Sequence, residues 1–124
     1  MIALVVTITL AMLASGCSRR VYKDGTFTAR SATGTTEVSL TLQNDKIVSV
    51  KIVEFGRDGA PKDIDTYLVC VGDSREPLLK TVHPLLAQRI VEKNSWDIDG
   101  YTGATATVNG VKEAAKAALE LAKR

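Results

Sequence analysis

From Thr36 to Leu42 the chain alternates strictly, with Val38, Leu40 and Leu42 apolar and Thr, Glu or Ser between them. A period of two over such a run is the pattern of a half-buried β-strand. Asn44-Asp45 supplies a tight turn, and the β-branched run from Lys46 to Phe55 returns as a second strand. Thr26 to Ser31 predicts a third, joined through a turn at Thr33-Gly34. Three strands with one apolar face need a cover. Farther on, Leu78, Leu79, Val82, Leu85, Leu86, Ile90 and Val91 recur at helical spacing. Pro84 should break or begin a helix, so a short helix around Leu78 and a main one from Pro84 to Lys93 are expected. Trp96 to Asp99 then leads out as extended chain. A last helix is predicted from about Val108 to Lys123, burying Val108, Val111, Ala115, Ala118, Leu119 and Ala122 on one face. Lys123 and Arg124 lie at its C-terminal end, where the helix dipole favours cations. Between sheet and helices, RDGAPKDID is loop-like, and Tyr67 to Val71 suits either a strand or one helical turn. This order predicts an α+β fold, a small antiparallel sheet followed by helices packed on one face.

Composition narrows the class. A chain of 124 residues, 45% hydrophobic and 24% charged, has the profile of one compact domain. A net charge of +2 without a Lys/Arg-rich run argues against nucleic acid as a partner. The first stretch carries no charged side chain before Arg19. It is short for a membrane span, which needs roughly 20 apolar residues, and it ends in small residues before a cysteine, as an export signal does. Leu13-Ala14-Ser15-Gly16-Cys17 resembles the lipobox of bacterial lipoproteins, although the usual Lys or Arg ahead of the apolar run is missing. The resemblance implies a signal peptide over residues 1–16 and lipidation of Cys17. Residues 17–23 would then be a lipidated tether and residues 24–124 the folded domain, extracytoplasmic and lipid-anchored to a bacterial membrane. An uncleaved N-terminal anchor is the alternative, with the domain on the same side. Cys70 is then left alone, and within YLVCV it reads as a small buried hydrophobe.

The chemistry concentrates in DGYTGATATVNG, residues Asp99 to Gly110, at the entrance of the last helix. A helix N-terminus exposes about four unpaired N–H groups and a partial positive charge, and phosphate is stabilised by both. Gly100, Gly103 and Gly110 would let backbone approach a ligand without a Cβ in the way. Ordinary capping and turn formation account for the same residues, and Thr107 or Asn109 would serve as N-cap.

Asp99-Gly100-Tyr101-Thr102-Gly103-Ala104-Thr105 resembles the flavinylation motif of FMN-binding domains. These domains occur in peripheral subunits of sodium-translocating NADH:quinone reductase and the Rnf complex, and in small lipoproteins of extracellular electron transfer. Tyr22 to Phe27, the hairpin LQNDKIVSVKI and the helix ahead of Asp99 extend the resemblance over most of the chain beyond residue 21; residues 57–79 do not share it. The resemblance implies FMN bound covalently, as a phosphoester of Thr105. It places Asp99 in recognition or in shaping the turn, Ala104 as a small residue against the flavin, and Thr102 and Thr107 as candidate hydrogen-bond partners of the phosphate. Tyr101, or less readily Trp96, would stack on the flavin ring, Trp96 being otherwise core. It also implies a flavin transferase that uses FAD, because a threonine hydroxyl is a poor nucleophile unaided and no adjacent base is visible.

His83, the single histidine, reads as structural, and neither catalytic nor metal-ligating residues are expected. With no GxGxxG fingerprint for a dinucleotide, the function expected is an electron carrier exchanging electrons with a membrane-bound donor or acceptor. A flavin-dependent reductase of a small substrate, and a binding lipoprotein without flavin, are the alternatives.

Overall fold

A computed structural model describes residues 20–124, so the apolar N-terminal stretch and Cys17 lie outside the described residues. The main sheet has three antiparallel strands in the order β1-β2-β3: β1 Gly25–Arg30, β2 Thr36–Gln43 and β3 Lys46–Glu54. Phe27 pairs with Leu40, and Leu40 with Val50. The alternation of β2 is realised in full, with Val38, Leu40 and Leu42 buried on one face. Asn44 and Asp45 both adopt positive φ (52° and 63°), the conformation of a two-residue hairpin turn that Asn and Asp tolerate. A two-stranded hairpin of β4 Val69–Val71 and β5 Ser74–Glu76 stands apart from this sheet.

Two helices cover the sheet: α1 Leu79–Lys93 lies on β3, and α2 Thr105–Ala122 on β1 and β2. Val82, Leu86 and Ile90 from α1 and Val108, Val111, Ala115 and Ala118 from α2 join the β2 side chains in one core. The α+β layering is therefore as expected.

Three local expectations are corrected. The helix does not break at Pro84, which lies inside α1. Proline there removes only one bond, to the carbonyl of Lys80, an exposed residue in the first turn. Helix α2 begins at Thr105, not near Val108. Cys70 is exposed on β4, because the short hairpin has no layer packed over it.

At Asn94 the chain turns left-handed (φ 53°) and the side chain ties α1 to the β2–β3 turn, accepting from Ile47 N at 2.7 Å and donating to Asp45 O at 3.1 Å. The segment beyond Arg20 is also pinned. Val21 N and Tyr22 N donate to the Asp45 carboxylate, and Lys23 N donates to Ala122 O at 2.8 Å.

Candidate functional site

The loop between the helices is held from below. Arg89, on α1, donates to the carbonyls of Asp99 and Gly100 at 3.1 and 3.0 Å. Ala104 N closes a turn onto Tyr101 O at 3.1 Å, and Gly103 passes through at φ +89°, a conformation L side chains rarely adopt. Ala104 takes the N-cap position with φ −130° and offers no side-chain cap. The first ladder bond runs from Val108 N to Ala104 O at 2.9 Å. The N–H groups of Thr105, Ala106 and Thr107 are therefore outside the helix ladder, at the positive end of the α2 dipole.

Thr105, first residue of α2, is exposed. Together with Gly103, Ala104 and Thr107 it lines a cleft of about 340 Å³ whose other wall is Lys62, Tyr67, Leu68, Val69, Cys70 and Arg75. This cleft continues past Lys62, Tyr67, Ala106 and Thr107, common to both, into a larger one of about 760 Å³ bounded by Glu54, Phe55, Arg57 and Asp58. Lys62 Nζ stands 4.3 Å from the centre of the Tyr67 ring. The combined space offers what a phosphorylated aromatic ligand requires: free amides on one wall, with the Lys62 and Arg75 cations and apolar side chains on the other.

The predicted residues fall into two groups. Gly103, Ala104, Thr105 and Thr107 meet in the cleft. Asp99 lies outside it, against a separate hollow with Arg89 and Lys93. Tyr101 is half-buried against the core, and Thr102 is exposed in the turn. Trp96 packs against the core beneath Lys112 and Lys116, whose Nζ atoms lie 5.8 and 5.1 Å from its ring. Two loop readings are corrected. Thr107 and Asn109 are not N-caps, since both lie inside α2. Gly110 serves helix–strand packing rather than ligand approach, for a Cβ there would stand 2.3 Å from Thr36 Oγ1 on β2.

Sequence reasoning missed the opposite wall, Lys62 to Arg75, and it missed a partner for His83. The His83 Nε2 atom is 3.4 Å from Glu54 Oε2, with both side chains 6% exposed. Burial pushes the Glu54 carboxyl up, but its contacts with the His83 imidazole and the Thr107 hydroxyl and the nearby charge of Lys62 outweigh it and hold the group below its ordinary range. Among the described residues no group of three His, Cys, Asp or Glu could hold a metal ion, and no helix is long and apolar enough to cross a membrane.

Comparison with known proteins places the chain in a family. The family model for the FMN-binding domain matches residues 32–120. The crystal structure of the CPE2226 protein from Clostridium perfringens is similar at 29% identity and a TM-score of 0.63, covering 82% of this chain and 88% of that one. No curated protein matches the chain.

Proposed function

The chain belongs to the FMN-binding domain family, and from that premise we propose that it is an extracytoplasmic, lipid-anchored electron carrier whose FMN is linked to Thr105 as a phosphoester. The observation that carries the assignment is the position of Thr105: an exposed hydroxyl on the first residue of α2, beside three N–H groups outside the helix ladder and at the mouth of a cleft. The residues present fit the cofactor. A phosphodiester retains one negative charge, which the helix N-terminus stabilises. Lys62 and Arg75 add positive charge across the cleft, and Tyr67, Leu68 and Val69 supply an apolar wall for the ring. Thr102 does not line the cleft, and Thr107 is buried, 9% exposed.

When bound, FMN supplies the reversible electron chemistry. The protein holds its phosphate, shapes the ring's surroundings and leaves the cleft open to a redox partner. Covalent linkage suits the proposed location, because outside the cytoplasm a dissociable cofactor is diluted away. The attachment takes FAD and a separate transferase: the Thr105 oxygen forms the new P–O bond, AMP leaves, and the hydroxyl proton is released.

Loading the full chain with transferase and FAD, followed by peptide mapping, tests this reading. Thr105→Val is expected to abolish attachment and Thr107→Val to retain it. Flavin on the Thr105→Val chain would overturn the assignment.

A further inference from the structure

Among the described residues, three side-chain polar atoms are sealed from solvent without a hydrogen-bond partner: Glu54 Oε2, His83 Nδ1 and His83 Nε2. All belong to one pair, in contact at 3.4 Å but not aligned as a hydrogen bond. Leaving such atoms unsatisfied destabilises a fold, and apolar side chains of similar size would avoid the cost. A pair kept under those terms calls for a reason other than packing.

Its position supplies one. Glu54 ends β3, His83 lies in the second turn of α1, and Thr107 is the third residue of α2. The three elements meet at the floor of the cleft, where Glu54 and Thr107 are lining residues. From α1 the neighbours of the pair in the core are apolar, Leu79, Val82 and Leu86. From α2 it is faced by the Thr107 hydroxyl, and from the loop after β3 by Lys62, whose N–H donates to Glu54 O at 2.7 Å. Arg57 and Asp58 stand farther out on the cleft wall. Glu54 thus touches the cleft on one side and His83 on the other.

We propose that Glu54 and His83 are a proton-holding pair for the cofactor: when electrons enter the cleft, His83 takes up a proton by way of Glu54. This rests on FMN occupying the cleft. Two electrons from a reductant, with one proton bound to the cofactor, add one negative charge to the site. A second proton, from solvent, binds a sealed nitrogen of His83, and Glu54 remains the carboxylate beside the imidazolium. The net charge of the buried region is then unchanged by reduction, and the electron affinity of the site depends on pH through His83.

The chain holds a single histidine, so its imidazole resonances in an NMR spectrum are unambiguous. The experiment uses the full chain loaded with FMN, and follows the His83 titration in the oxidised protein and in the protein reduced with dithionite. A unit charge acting through an effective dielectric of about 20 changes proton affinity about tenfold at roughly 12 Å. The expected result is a rise in the His83 proton affinity of tenfold or more on reduction. A smaller rise, no change or a fall overturns the proposal. A chain that takes up no flavin fails the cofactor reading and this proposal with it, whereas a yellow chain whose His83 does not respond fails this proposal alone.

Discussion

A methyl group added at Gly110 would meet Thr36 Oγ1 at 2.3 Å, so this position reports how closely α2 approaches β2. In an open helix Gly→Ala gains about 1 kcal/mol. Here overpacking, typically about 1–3 kcal/mol, opposes that gain, and Gly110→Ala is expected to be destabilising in urea unfolding. A more stable variant would mean that the helix can retreat from the sheet at little cost. Asp45 is a second residue whose role is legible only in three dimensions. The Tyr22 and Val21 N–H groups hold its carboxyl below the usual value of 3.8. A folded-state pKa below the unfolded one contributes stability that is complete above about pH 3.8 and is lost as pH falls through the folded value. Asp45→Asn, which tolerates the positive φ, should therefore speed amide exchange at Lys23 at pH 6, the difference from the native chain shrinking as pH falls below 3.8. Equal exchange at pH 6 would show that the carboxylate does not hold the segment. Thr105, the proposed attachment residue, stands by contrast in a motif that is contiguous in the sequence. Tyr67, Lys62 and Glu54 were not, since they reach the cleft from distant parts of the chain and follow no local pattern.

Elements were legible where one face is buried against one partner. The alternation in β2 and the three-four spacing of α2 describe the core side chains correctly, because burial imposes the period directly. Helix boundaries were not. Pro84 is a strong local signal for a break, yet the tertiary packing of Leu79, Val82, Leu86 and Ile90 on β3 carries the helix through it. The start of α2 differs because Thr107 and Asn109 look like caps, whereas the backbone of Ala104 occupies that position. The loop ahead of α2 depends on Arg89, which binds two of its carbonyls. Arg89→Ala should slow flavin attachment by about tenfold if loop geometry sets the transferase's access, while stability to urea changes within about 1 kcal/mol, as is usual for surface positions. Full loading rate in that variant would make the Arg89 contacts incidental.

The largest consequence lies in how the two ends of the molecule are disposed. Helix α2 has 18 residues and so spans about 27 Å, with Thr105 at its start. At its other end Arg124 N donates to Val21 O at 3.0 Å, and Tyr22 bridges to Lys123. Val21 and Leu121 are exposed there, 54% and 57%, near Arg20, Lys123 and Arg124. If Cys17 carries lipid, the chain from it to the pinned Val21 reaches at most about 14 Å, so this end, with its exposed Val21 and Leu121, faces the bilayer. The cofactor end is then directed away from the membrane, well beyond the screening length of about 8 Å at physiological salt, and open to a partner on that side. In vesicles of lipids carrying a nitroxide on the headgroup, a fluorophore at Leu121→Cys, in a Cys70→Ser background, should be strongly quenched. The flavin emission of the same loaded chain should remain unquenched. Flavin quenching as strong as that of the residue-121 label would place the cleft against the bilayer instead. A Cys17→Ser chain that still stayed with the vesicles would remove the lipid from the argument.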